Sequence, residues 1–227
     1  MPPTEDGVDT VKFKQMAEGD REDYLFLEEH ERAAASGVAT RLFEGLKALD
    51  SAESGYRVSR LEHSIQSATR AYRDGADDDW IVATLLHDMG DVYAPYNHDE
   101  FAASVIRPYV REQCTWVVAH HGLFQRYYYA HHFGGDRNAR KRHEGHPFYD
   151  DAVLFCERWD QASFDPEYES LPLDTFWPIT EAVFAREPYH PRVIASGTRV
   201  PLVDPVNAAR RRSRDADAEA AKAKGKR

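Results

Sequence analysis

The sequence predicts an all-α fold arranged as one domain. Three observations carry that expectation. Apolar residues recur at three- and four-residue spacing along most of the chain, strand-period alternation is almost absent, and no internal repeat is visible. The length, 227 residues, suits one good core and is short for two.

Residues 1 to 20 are polar and are expected to be mobile. From Asp20 to Leu49 an apolar stripe of Leu25, Leu42, Phe43, Leu46 and Leu49 predicts helix, broken near Gly37. A Ser- and Gly-bearing loop with Tyr56 follows. Val58 to Arg73 reads as an amphipathic helix with Leu61, Ile65, Ala68 and Tyr72 on one face. His63 and Gln66 lie three apart on an adjoining face and can point at one place. Gly75-Ala76-Asp77-Asp78 is a turn with an N-cap signal before the apolar run Trp80 to Leu86, which leads into His87-Asp88, and Gly90 is the expected C-cap. Asp99 to Val110 is helical again, ending near Pro108. Glu112 to His121 reads as a short buried helix stopped by Gly122. Residues 123 to 150 then form an aromatic and basic insertion, with Tyr127-Tyr128-Tyr129, His131-His132 and Arg137 to Arg142. Helices are expected over Asp150 to Ser163 and Leu173 to Glu187. The domain therefore runs from 21 to 190 with its core at 55 to 165, and 191 to 227 is an extension. From Asn207 onward that extension has eight Lys/Arg against three Asp/Glu and is expected to be a disordered basic arm or a frayed helix.

Composition narrows the function. The formal charge of −10 argues against a nucleic-acid role for the body; the tail is read first as a solvated extension, with contact to RNA or an acidic partner as the alternative. No apolar run approaches a membrane span of about 20 residues, and the start, Met1-Pro2-Pro3-Thr4-Glu5-Asp6, has no signal-peptide pattern. Two cysteines, Cys114 and Cys156, both in apolar helical patterns, fit reduced core residues of a cytoplasmic protein.

The end of the buried run is where chemistry is expected. An unpaired carboxylate there costs several kcal/mol unless something compensates, and a metal ion compensates best. Six candidate ligands, His63, His87, Asp88, His98, His121 and Asp160, are scattered over several helices, as a site in a bundle core requires. His63, His87, Asp88 and Asp160 would hold one divalent ion. His98 and His121 supply a second, with Asp88 the natural bridge. Either His120 or its neighbour His121 serves, and His121 is preferred. Imidazole and carboxylate together suit iron, manganese, cobalt or zinc.

The run Leu61-Glu62-His63-Ser64-Ile65-Gln66-Ser67-Ala68, then His87-Asp88, then His98 followed by Phe101-Ala102-Ala103, resembles the HD-domain superfamily of helical metalloproteins. Within it, the Glu-His-x-x-Gln helix, Arg126-Tyr127 a turn after the fourth His, and Trp159-Asp160 are most similar to the mixed-valent diiron oxygenases that include myo-inositol oxygenase and the phosphonate-cleaving HD oxygenases. The resemblance spans about residues 55 to 165. It implies a helical bundle with one Fe(II) and one Fe(III) bridged by Asp88. A small-molecule substrate and dioxygen are then the partners, and the substrate is cleaved oxidatively. Apart from that resemblance, the chain is expected to be a monomer or weak oligomer.

Departures from those relatives point to the substrate. Asp91 stands where a His would be expected, Gln125 where a Lys would, and Glu157 where an Arg would, while Glu53-Ser54-Gly55-Tyr56 reverses the order of Tyr and Glu. Carboxylates in place of cations disfavour a dianionic phosphonate. A neutral polyol fits better, or an amino alcohol whose cation meets Asp91 or Glu157. The alternative is that Asp91 and Glu157 pair with arginines such as Arg126 and Arg158. Tyr56, Asp91, Gln125, Arg126 and Glu157 are thus the candidate substrate contacts. Tyr56, Tyr127, Tyr128 and the insertion are either a water-excluding lid or ordinary packing. Two rival functions stay open. One is an HD-type phosphohydrolase acting on a phosphate ester, with Arg126 or Arg137 to Arg142 turned inward. The other is a metal-stabilised binding protein without catalysis.

Overall fold

The structure is a computed structural model and describes residues 10–51 and 55–224. Glu53 and Ser54, half of the loop singled out above, lie outside the described residues, as do residues 1–9 of the segment expected to be mobile. About two thirds of the chain is helical, and no strand occurs among the described residues. No helix among them is long and apolar enough to cross a membrane.

The chain divides into two compact units between Leu42 and Phe43. In the first, α1 (Arg21–Ser36) opens with a capping box in which the Asp20 carboxylate accepts from the Glu22 and Asp23 amides and Asp23 reaches back to the Asp20 amide. Gly37 separates it from α2 (Val38–Lys47), which carries the chain into the second unit.

The second unit is a helical bundle around α3 (Arg60–Arg73) and α4 (Asp78–Leu86), which pack on each other. Ser59 caps α3 through the Glu62 amide at 3.1 Å, and Asp77 caps α4 through the Trp80 amide at 3.2 Å. Residues Trp80 to Leu86 are completely buried, so α4 is apolar on every side and forms the centre of the core. After it come α5 (His98–Ile106), α6 (Glu112–Tyr129), α7 (Tyr149–Phe155), α8 (Trp177–Phe184), the single turn α9 (Pro191–Ile194) and α10 (Pro205–Lys224). The helices α5 and α7 both pack on α6, and α8 covers α4.

Three expectations are corrected. Gly122 does not stop a helix. α6 continues through it to Tyr129, since Phe124 beyond it is fully buried and that packing outweighs the roughly 1 kcal/mol penalty of a mid-helix glycine. Residues 123–150 are consequently no single insertion: the first seven finish α6, two 3-10 turns follow at Ala130–Phe133 and Ala139–His143, and Tyr149 already opens α7. Finally, the basic tail is helical from Pro205 to Lys224, and its first half is anchored. The Arg211 guanidinium donates to the Tyr72 carbonyl at 2.9 Å and lies over the Tyr72 ring at 4.4 Å, and Asn207 donates to the Gly75 carbonyl at 2.8 Å.

Candidate metal centre

All six candidate ligands meet at one end of the bundle. His63 projects from the second turn of α3, His87 and Asp88 follow the last residue of α4, His98 opens α5, and His121 sits in the middle of α6. Asp160 closes a π-helical turn, Cys156–Asp160, that extends α7. Such turns inside helices occur mainly at functional sites, where the extra residue re-aims a side chain.

Asp88 lies at the centre. Its Oδ2 is 3.3 Å from His63 Nε2 and 3.5 Å from His87 Nε2, while its Oδ1 is 3.0 Å from His121 Nε2 and 3.4 Å from His98 Nε2. Asp160 Oδ1 is 3.4 Å from His63 Nε2 and 3.8 Å from His87 Nε2. The donor atoms of His63, His87 and Asp160 lie within 4.8 Å of one another, and so do those of His87, Asp88 and His121.

The imidazole orientations show what the cluster lacks. His63 Nδ1 faces the Ser163 carbonyl at 3.0 Å, His87 Nδ1 the Thr84 carbonyl at 2.7 Å, and His121 Nδ1 the Val118 carbonyl at 2.7 Å. A carbonyl only accepts, so each Nδ1 carries the proton and each Nε2 of a neutral ring presents a lone pair. Those lone pairs point at carboxylate oxygens and at one another, with His63 Nε2 and His87 Nε2 3.2 Å apart. Acceptors aimed at acceptors in a buried site need a positive charge between them. Asp160 Oδ2 and Gln125 Oε1, both buried without a hydrogen-bond partner, add two more acceptors to the deficit.

Protons answer the same demand. Burial pulls the His63 imidazole down, but Asp160 and Asp88 beside it overcome this and raise it to about 10. Burial opposed by Asp88 and Asp160 likewise leaves His121 raised to about 9. Burial pushes the Asp88 carboxyl up, yet His87, His121 and His63 hold it well below the usual carboxylate range, and Asp160 is lowered against its own burial by His63 and His87. The donor set and its charge fit a bound cation, with the carbonyl-fixed tautomers characteristic of metal-ligating histidines.

Two glycines make room for this convergence. A Cβ on Gly90 would sit 2.5 Å from the His98 carbonyl oxygen and 2.7 Å from its Cα, so Gly90 serves the close approach of α5's first residue and not the C-cap role expected of it. A Cβ on Gly122 would meet the Asp99 carboxylate at 3.1 Å and His98 Cε1 at 3.8 Å. Of the two adjacent histidines, His121 faces Asp88, whereas His120 turns away to stack on Trp116 at 4.2 Å.

A cavity of about 610 Å³ opens over the cluster. Of the five expected substrate contacts, Tyr56, Asp91 and Gln125 line it. Gln125 Nε2 donates to Asp160 Oδ1 at 2.9 Å, and the Tyr56 ring lies 4.7 Å from Phe164. Arg126 and Glu157 do not line the cavity and are exposed. Arg126 is one residue past Gln125 and so turned about 100° away, while the wide π turn carries Glu157, three before Asp160, off the cluster's face. Asp91 is no free anion either. It is ion-paired with Arg60 and stands 3.5 Å from His98 Nδ1. The expected partners Arg126 and Arg158 are thus replaced, at Asp91, by Arg60. Arg158 instead forms a two-pronged pair with Asp74 at 2.8 Å. Arg137 and Arg140 both lie over the Tyr127 ring, at 4.2 and 3.9 Å, and do not line the cavity.

Sequence reasoning missed Arg60, Ser163, Phe164 and Phe133. Arg60 was within reach of it, being one turn before His63 on the same helix. Phe164 stacks on the His63 ring at 4.3 Å from a loop with no periodic signal. Gln66, expected beside His63, pins that loop through the backbone of Asp165 at 2.7 and 3.3 Å.

The fold and site define a class: an all-α bundle whose helix ends gather imidazoles around a shared carboxylate. Residues 60–159 match the HD domain family, and this segment includes five of the six cluster residues. HD domains are commonly metal-dependent enzymes. No curated protein matches the chain.

Proposed function

We propose that this chain is a diiron oxygenase that cleaves a small hydroxylated molecule with dioxygen. The observation that carries the metal pair is Asp88, whose two oxygens meet two different sets of imidazoles. His63, His87 and Asp160 would hold one ion with Asp88 Oδ2. His98 and His121 would hold the other with Asp88 Oδ1. Mixed imidazole and carboxylate donors suit iron, with manganese, cobalt and zinc as alternatives. Bound there, an iron pair supplies Lewis acidity toward a substrate hydroxyl and a binding place for dioxygen.

The protein's own groups prepare that site. The Ser163, Thr84 and Val118 carbonyls fix three imidazole rings, and Gln125 steadies Asp160. The side chains of Tyr56, Tyr129, Phe133 and Phe164 wall the cavity, limiting water around the reacting carbon and offering faces for its C–H bonds. Arg60 is the one Lys or Arg lining the cavity among the described residues, and Asp91 neutralises it. A dianionic phosphonate therefore finds no spare cation, and an ammonium group finds no spare carboxylate at Asp91 or Glu157. A neutral polyol is the better fit. Two buried free thiols support a cytoplasmic setting.

The competing reading is hydrolysis of a phosphate ester by the same metal pair. Arg60 favours it, because a phosphate group that displaced Asp91 would gain a guanidinium beside the metals. One experiment separates the two: metal counting on aerobically purified protein, low-temperature EPR after mild reduction, and assays for polyol-dependent oxygen uptake and for phosphate release from a generic ester. Two irons per chain with a coupled Fe(II)/Fe(III) signal are expected, together with oxygen uptake. Two diamagnetic ions with phosphate release would replace the oxygenase with the hydrolase.

A further inference from the structure

A second cavity, about 650 Å³, lies at the opposite end of α4 from the metal centre, between α4, α8 and the first half of α10. The nine residues of α4 separate the two by about 13 Å. Five arginines and three aspartates line it, an excess of two positive charges on a chain whose net charge is −10.

The aspartates are largely spent on two of the arginines. Arg111 meets Asp77 at 2.7 Å and Asp79 at 3.0 Å, and Arg186 meets Asp79 at 2.6 Å. The other three, Arg210, Arg211 and Arg214, come from neighbouring faces of α10 and make no ion pair with a described carboxylate. Arg211 is the informative one. It is 91% buried by its 9% exposure, its recorded hydrogen bond is to the neutral Tyr72 carbonyl, and its cation lies on the Tyr72 ring. Burial lowers its affinity for its proton, whereas Arg111 and Arg214 are raised by their partners. Arg111, equally buried, also keeps an Nε–H with no acceptor. Burying a guanidinium without a counter-charge is unfavourable unless an anion is recruited. A solvated helix face would expose these arginines, and a structural ion-pair network would include them. Neither description fits Arg211.

The geometry points to a binding site for a small polyanion, a molecule carrying two or more phosphate groups. The planar guanidinium forks that α10 brings to the cavity suit paired phosphate oxygens, and a concave cavity suits a compact ligand better than an extended nucleic-acid strand. Two carboxylates set a limit on affinity: Asp78, exposed at the cavity edge, faces Arg211 and Arg214, and Asp215, which accepts from the Tyr72 hydroxyl at 3.1 Å, faces Arg214. This inference is independent of the oxygenase reading.

Inorganic pyrophosphate, titrated calorimetrically into the full chain as purified, is the probe. Binding that weakens as NaCl rises from about 50 to 200 mM is expected. Arg210→Glu, at an exposed position that should not disturb folding, and Arg214→Gln should together weaken it at least tenfold with metal content unchanged. The metal check matters because pyrophosphate also chelates metals, so affinity undiminished in the arginine variants would assign the binding to the metal centre and overturn the proposal. Absence of pyrophosphate binding in the unmodified chain would overturn it too, as would tighter binding of a single-stranded RNA oligonucleotide than of pyrophosphate.

Discussion

The two ends of α4 bury carboxylates in opposite ways. At the amino end, Asp79 is buried between Arg111 and Arg186 and accepts the Arg111 amide at 2.9 Å. Its charge is matched by fixed cations within the chain. At the carboxyl end, Asp88 and Asp160 are surrounded by imidazoles whose protons are held elsewhere, so the neighbours offer lone pairs and no fixed charge. The carboxylate in the first arrangement needs no added cation. The second is complete only with cations, either protons or metal ions. A buried carboxylate therefore says little by itself about function, and the charge state of what surrounds it says a great deal.

The strongest way to break this comparison is to neutralise one carboxylate at each end. Asp79→Asn leaves Arg111 and Arg186 uncompensated and should destabilise the fold by about 3–5 kcal/mol, read by denaturant unfolding, with metal stoichiometry intact in the folded fraction. Asp88→Asn removes the shared bridge. It should abolish activity and drop metal content from two ions per chain to one or none, and it should lower the stability of the metal-free protein near neutral pH, because His63 and His121 lose the carboxylate that raises them. If Asp88→Asn retained two ions, the bridging role would be wrong.

A second test sharpens the comparison through pH. In the metal-free protein His63 and His121 are raised to about 10 and about 9, above the ordinary 6.5 of an unfolded histidine. The folded state holds those protons more tightly, so their stabilisation is full below pH 6.5 and is lost as pH climbs through 9 to 10. After chelation the melting temperature should fall across that window. With metal restored it should stay flat there, because the ions displace the protons. Metal affinity should rise with pH over the same interval. A chelated protein whose stability was unchanged between pH 6.5 and 10 would contradict the raising of His63 and His121 by Asp88 and Asp160.

Much of this carboxyl end was legible in the sequence. The all-α class followed from helical spacing, and the six candidate ligands stood out because polar residues interrupted or ended apolar runs, as His87-Asp88 does after Leu86. What stayed hidden depended on contacts between segments distant in the chain. Gly122 reads as a stop signal only while α5 is ignored. Asp91 reads as a free anion only while Arg60, 31 residues earlier, is unplaced. The π turn at Cys156–Asp160 has no periodic signature, so nothing in the spacing shows that Glu157, an expected substrate contact, lies away from the cavity. The basic tail was read by composition, but Arg211 and Asn207 find the end of α3, and tertiary anchoring overrides the local tendency to disorder.

The smallest expected effects come from the two glycines at the carboxyl end, and their difference isolates geometry from charge. Gly90→Ala would push a methyl against the His98 backbone, which has no rotamer by which to yield, so α5 must shift and carry His98 with it. The expected result is selective loss of one ion of the two, with His63, His87 and Asp160 keeping the other. Gly122→Ala crowds only the end of the Asp99 side chain, which can rotate away, and touches His98 Cε1 at an ordinary van der Waals distance, while alanine favours the mid-helix position by roughly 1 kcal/mol. That variant should keep both ions and gain slightly in melting temperature. Metal analysis of the two proteins side by side decides the point: two ions retained in Gly90→Ala would mean that His98 is dispensable to the pair, and that Asp88 and His121 alone suffice for the second ion.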